Sequence, residues 1–456
     1  MKIFLVIVSI FINCTFIFAQ INVSSARSLS MGNSSVSISR GIDAINTNPA
    51  NMAFFNRKHW ELSIIPSVVF DISNSSFTFG TYRDHFTADQ NGNPKYLDDI
   101  KKMNLLSLIK QNEPNNVYIY TTVDFINITA TYPQISSGIG LSVRDRVFSN
   151  INISKDVFDL ALFGNELNKK YDFSSTAGTG YWFREYTFGY GFQFYKSRKT
   201  RSALGINIKY LQGHAFYNID CQNSEFTTTD SSLNGNIKIN STFSYIDFFE
   251  NSRYSLSILN SAGRGQALDI GLSITNETLT FGCAVKDIGY LTWSRNVFEI
   301  DINETSIIRD ITDKNEREPY NDIFNKNKNE IDNKEIKLPI SIQAGFSFYL
   351  NKIRFINSKI PFLLSAEYSL TLKNNNLLYK NLSLFSLGVE FKPIIWLPLR
   401  AGFIFGDIYK TPRFSFGTGI NTTHFDFDIG CGNVENLYLS NSSKSVALAI
   451  STKFLF

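Results

Sequence analysis

From Leu399 to Phe456, apolar and polar residues alternate with a period of two through four successive segments, and this limits the fold more than any other feature. In the last segment Val446, Leu448, Ile450, Thr452, Phe454 and Phe456 share one face, opposite Ala447, Ala449, Ser451, Lys453 and Leu455. Before it, Phe425, Phe427 and Ile429 stand against His424, Asp426, Asp428 and Gly430. Phe414, Phe416, Thr418 and Ile420 stand likewise against Arg413, Ser415, Gly417 and Gly419, and Leu399, Ala401, Phe403 and Phe405 against Arg400, Gly402, Ile404 and Gly406. Successive side chains of a strand point to opposite faces, so this pattern predicts a sheet with one Phe-rich face and one polar face. A soluble sandwich shows the same alternation.

The amino-terminus narrows the choice. Met1-Lys2, an apolar run over Ile3 to Phe18, and Ile17-Phe18-Ala19 before Gln20 read as a secretory signal peptide over 1–19. Ser9, Asn13 and Thr15 interrupt that run, which is short for a membrane helix. Cys14 lacks the preceding small residue that lipid attachment needs. No later segment offers about 18 consecutive apolar residues, so a membrane crossing would have to be made by a closed barrel. Aromatics make up 14% of the 456 residues, with 41 Phe and 21 Tyr, which suits a lipid-facing wall with aromatic girdles. The formal charge of +4 suggests no nucleic-acid partner.

Strands are predicted over 59–72, 117–131, 137–149, 180–195, 202–217, 266–275, 278–286, 337–350, 362–372, 382–391, 399–406, 412–420, 423–430 and 445–456. Alternation is clearest at Trp182, Arg184, Tyr186, Phe188, Tyr190, Phe192 and Phe194. The connections 132–136, 196–201, 276–277, 351–361, 392–398 and 421–422 are short, whereas 73–116, 150–179, 218–265 and 287–336 are long. Short and long alternate through the first eight strands, as turns on one side of a membrane and loops on the other would. An even strand number returns both termini to the short-turn, periplasmic side. The expected fold is thus an all-β transmembrane antiparallel barrel of about 14 strands over 59–456. Short helices are expected in two loops, over 97–109 and 156–163.

Three resemblances add to this reading. The strand ending on Phe454 and Phe456 resembles the carboxy-terminal insertion signal of bacterial outer-membrane barrels, which implies the barrel-assembly machinery and outer-membrane lipid as partners. Ser24 to Gly32 and Gly41 to Ala53, with a Met31-Gly32 step ahead of Asn48-Pro49-Ala50, resemble the amino-terminal part of FadL-like outer-membrane proteins, including the secretion-associated PorV group. That resemblance implies a plug over 20–58 closing the barrel from the periplasmic side, with Asn48, Pro49 and Ala50 shaping it. Asp269-Ile270-Gly271 and the run from Cys283 to Trp293 are similar to uncharacterised Bacteroidetes barrels related to both groups.

Catalytic signatures are missing: no GxSxG, HExxH or P-loop, and four histidines, His59, His85, His214 and His424. The chain is read as a non-enzyme without cofactor or metal. Cys221, Cys283 and Cys431, an odd number without CxxC, argue against a disulfide framework or zinc site. His424, Asp426 and Asp428 share one polar strand face about 7 Å apart and could meet one ion. The bland alternative is a hydrated lumen, balanced by Arg400 and Arg413 on neighbouring strands. Lys209, Lys286, Glu367 and Glu390 are read as lumen charges too. The functional expectation is passive uptake of small apolar molecules, which requires a substantial apolar pocket. The alternative is PorV-like docking of secreted proteins or a secretion machine through the external loops.

Overall fold

The computed structural model describes residues 23–456 apart from 90, 111–114, 247–259, 311, 322, 353–360, 375–380, 407–408 and 435–443. The expected signal peptide, 1–19, lies outside the described residues. Fourteen wall strands follow the predicted order. The first is Trp60–Ser63 with Ser67–Asn74, then Asn116–Tyr132, Ser137–Asn152, Ala177–Lys196, Thr200–Asp220, Gly263–Asn276 and Leu279–Trp293. Lys334–Lys337 with Ser341–Tyr349 form the eighth, followed by Phe362–Thr371, Leu382–Ile394, Leu397–Gly406, Tyr409–Asn421, Phe425–Gly432 and Ser445–Leu455. Each pairs antiparallel with the next. Ser445–Leu455 returns to the first strand through Val68↔Ile450 and Glu61↔Leu455, so the sheet closes. Closure leaves no wall edge unpaired.

Two wall strands are broken where proline removes a ladder donor, at Pro66 in the first and Pro339 in the eighth. The first break is a bulge. Residues 64–66 span a stretch opposed by only two residues of the second strand, because Ser63 pairs with Asn127 and Ser67 with Asp124.

The Phe-rich face points outward. Phe188, Tyr190, Phe192, Phe414, Phe416, Ile429, Leu448 and Ile450 are all exposed on the outer wall, while Thr187, Ser415, Asp428, Ala449 and Ser451 are buried inside. An apolar outer surface of this extent would be costly in water and is what a hydrocarbon layer takes up. The carboxy-terminal strand ends beside Trp60, where the backbone N–H groups of Trp60 and Phe456 each donate to the other's carbonyl at 3.1 and 2.9 Å. That is the end with the short turns.

The long loops hold more order than their sequences suggested. Helices occupy Asp99–Leu108 and Lys155–Phe163, as expected, and also Phe79–Phe86 and Lys314–Asn321. Leu233–Tyr245 pairs with the tip of Thr200–Asp220 and along the whole of Phe298–Ile308, raising the wall beyond the barrel. Both strands alternate, Leu233, Ile237, Ile239 and Phe243 against Asn234, Lys238, Asn240 and Thr242, and Phe298, Ile300 and Ile302 against Glu299, Asp301 and Asn303, a signal that was there to read.

Candidate functional site

The lumen is occupied by the chain's own residues 23–54. This segment holds the short helices Ala26–Ser30 and Ile42–Ile45 and the 3-10 turn Pro49–Ala53. Nearly all of it is buried, with Asn48, Ala50 and Asn51 at 0% exposure. Asn48 caps the turn: its Oδ1 accepts from Ala50 N–H at 3.1 Å, and Pro49 takes the first position, where no donor is missed. Its Nδ2 donates to the carbonyls of Val36 and Leu272, both at 3.1 Å, tying the turn to the rest of the segment and to the wall.

The wall makes room with glycine. Gly138, Gly191, Gly205 and Gly271 are direct partners across four neighbouring strands. A Cβ on Gly205 would overlap Pro49 and Ala50, one on Gly271 would overlap the Asn48 side chain, and one on Gly138 would overlap Met52. Across the barrel, a Cβ on Gly388 or Gly402 would strike the backbone at Met31 and Gly32. The inner segment therefore lies backbone against backbone on the wall.

Ionic contacts fix it in place. Arg27 reaches Glu390 with two nitrogens at 3.0 and 3.1 Å, and Arg400 joins Glu390 and Asp428 at 2.7 Å each. Burial works against the Arg27 charge, but the Glu390 carboxylate more than offsets it and holds the guanidinium above its usual range. Among the described residues no carboxylate lies beside Arg40, and burial pulls its pKa down to about 10. It donates instead to the Ser37 and Ser39 carbonyls. Glu367 accepts the Ser35 and Val36 N–H groups at 2.6 and 2.8 Å, Glu61 accepts Ile42 N–H at 3.1 Å, and Lys453 pairs with Asp43.

Immediately toward the long loops lies a layer of buried charge. Arg144 binds Asp124 at 2.6 Å, and Arg146 binds Glu185 at 2.7 Å and Asp287 at 3.0 Å. Lys209 lies between Asp287 and Asp269 at 2.8 and 2.9 Å, and Lys286 donates to the Asn46 carbonyl at 2.8 Å. Four cations face four carboxylates, so the layer is neutral, the condition under which burying so many charges is tolerable. Asn46 also donates to Asp124, and Asn207 to the Ile45 carbonyl, which joins this layer to the inner segment.

Beyond the charges, inward aromatic residues line the lumen toward the long loops. Tyr118, Phe148, Tyr181 and Phe183 run ring to ring at 5.5, 5.2 and 4.9 Å, and Phe216 stacks on Trp293 at 5.6 Å. The Arg146 guanidinium lies over Phe183 at 5.3 Å. Tyr120, Phe183 and Trp293 are 1%, 1% and 2% exposed, packed against their neighbours. A polar cavity of about 10 Å³, lined by Ser24, Asp43, Asn46, Asp124, Ser451 and Lys453, has room for about one water.

The structure thus brings Arg400, Glu390 and Asp428 together with Arg27, and buries Glu367, Lys209 and Lys286 in the lumen. It separates others. His424 does not line the lumen: it sits exposed on a short turn, 3.5 Å from Lys58. Thr422 Oγ1 accepts from Phe425 N–H at 3.0 Å and spends residues 422–424 on the turn, so the strand begins at Phe425. Asp426 pairs with Arg57, and Arg413 lies 3.8 Å from Asp71 rather than from Asp426 or Asp428. No shared ion site forms from the three. Phe454 packs on Phe425 at 5.3 Å, and Phe456 is 63% exposed at the strand end. Arg27, Asp124, Arg144, Arg146, Glu185 and Asp287 were not singled out from sequence. Arg144 and Arg146 do share one strand face, a signal that was there to read.

The geometry can be set beside known proteins. A model described as "Family of unknown function (DUF5723)" matches residues 49–430. No curated protein matches the chain. Among solved structures, the chain is similar to the toluene transporter TodX of Pseudomonas putida, at 11% identity over 95% of this chain and 97% of that one, with a TM-score of 0.47. It is similar to the toluene transporter TbuX of Ralstonia pickettii at 11% identity, over 95% and 98%, with a TM-score of 0.46. A Pseudomonas aeruginosa FadL homologue shows 10% identity over 96% and 99%, with a TM-score of 0.47. At such values the fold assignment rests on this chain's own strand ladders.

Proposed function

The chain belongs to the DUF5723 family of unknown function, and on that premise we propose a FadL-like outer-membrane barrel through which small apolar molecules pass by diffusion. The observation that carries this reading is the layering of the lumen. An aromatic lining faces the long-loop end and stops at a charge layer that the docked inner segment braces through Asn46 and the Ile45 carbonyl, so an apolar solute cannot cross while that segment stays in place. Residues 23–54 act as a plug, with Asn48, Pro49 and Ala50 seating it on the glycine row, until the solute displaces them. A polar lipopolysaccharide surface excludes apolar compounds, so a greasy route inside a barrel meets a physical need. In this reading the short turns and both termini face the periplasm, and the exposed Phe456 suits recognition by the assembly machinery.

A closed lumen is also what a barrel acting through its external loops, as in PorV-like docking, would have. Flux separates the two. Vesicles with a lipopolysaccharide outer leaflet that hold the mature protein should take up a small aromatic hydrocarbon at least severalfold faster than the same vesicles without it, and a sugar of similar size no faster. Equal hydrocarbon rates with and without protein would rule out the transport reading and leave docking.

A further inference from the structure

The long-loop rim carries a helix that the barrel does not cover. Phe79–Phe86 begins five residues past the end of the wall strand Ser67–Asn74. Asn74 Oδ1 accepts from the N–H groups of Ser76 and Phe77 at 3.0 and 2.6 Å, so the chain turns at once on leaving the wall. Thr78 Oγ1 then accepts from Thr81 N–H at 3.0 Å and starts the helix. Five residues span at most about 17 Å, which keeps the helix beside the rim.

Phe79, Tyr82 and Phe86, spaced three and four apart, share one helix face. They are 45%, 57% and 51% exposed, and the Tyr82 and Phe86 rings stack at 6.1 Å. Only Gly80 of the eight residues is buried. Asp84 stands on the far side, paired with Arg83 at 3.2 Å. A helix this short does not persist alone in water, and three half-bare rings add an apolar penalty. The strand from which it rises exposes Val68 and Phe70 on the outer wall, so the helix leaves from a strand whose outer face already meets lipid.

We propose that helix Phe79–Phe86 is an interfacial anchor, lying with its aromatic face in the lipid surface around the long-loop end of the barrel. Its one ion pair is internally neutral, so the attachment is apolar rather than electrostatic. This inference stands whether or not solutes cross the lumen.

The test uses the mature protein in phosphatidylcholine nanodiscs, with Cys221, Cys283 and Cys431 replaced by serine and a nitroxide placed through Tyr82→Cys or Asp84→Cys. Oxygen should relax the label at position 82 severalfold more strongly than a water-soluble nickel chelate does, and the order should reverse at position 84. Equal nickel access at both positions would overturn the proposal, as would dipolar broadening at position 82 from a second copy. Hydrogen exchange gives a second reading without labels. Amides 81–86 should be protected in the unmodified protein in nanodiscs and lose that protection in a Phe79→Ser, Tyr82→Ser, Phe86→Ser variant. Unchanged protection in that variant would also overturn it.

Discussion

Replacing Asp287 by alanine is expected to cost the folded barrel about 3–5 kcal/mol, because it strips one partner from a buried ionic layer. Asp287 is 2% exposed and takes Arg146 at 3.0 Å and Lys209 at 2.8 Å. Without it, four buried cations face three carboxylates in a medium that cannot hydrate the excess. A second contribution is local. Asp287 adopts φ +62°, a left-handed conformation that Asp and Asn tolerate better than alanine. Asp287→Asn separates the two effects: it keeps the backbone preference and loses the charge, so most of the destabilisation should remain. Urea titration of the barrel in lipid vesicles measures both. Adding Arg146→Ala to Asp287→Ala should recover part of the loss, as expected for coupled residues. Strict additivity would mean that the pair does not act as a unit.

Gly205→Val is expected to loosen the inner segment and leave the wall standing. Valine suits a strand, so the barrel should fold and keep its gel mobility difference between heated and unheated samples. Its side chain, however, occupies space now held by Pro49 and Ala50. Overpacking of this kind costs about 1–3 kcal/mol, which shifts the docked-to-undocked ratio by roughly 5- to 150-fold. Limited proteolysis within residues 40–54 should accelerate by that factor. Gly178→Val is the control, because a Cβ there meets Tyr217 and Ile151 only at 3.4 and 3.5 Å. Equal proteolysis in the two variants would show that the glycine row does not seat the segment.

The wall was legible because its period of two is kept strictly where one face meets apolar surroundings and the other a polar lumen. Phe414 against Ser415, or Leu448 against Ala449, could be sorted by composition alone. Part of what escaped the sequence lay where the period breaks. Lys286 and Asp287 are neighbours, yet both are buried in the lumen, because a bulge between Leu268 and Ile270 admits an extra residue on the facing strand. His424 failed for the opposite reason: its spacing extended a real strand into a turn that Thr422 had already claimed. The glycine row was invisible along the chain, since Gly138, Gly191, Gly205 and Gly271 become neighbours only once four strands are in register. Pairings between the inner segment and the wall, such as Arg27 with Glu390, join residues 363 apart and carry no local signature.

The central claim is that residues 23–54 close the lumen, and single-channel conductance tests it most directly. The refolded mature barrel should show no steady conductance, and a variant lacking residues 21–53 should open discrete channels under the same voltage. Conductance in neither form, or the same conductance in both, would contradict the account.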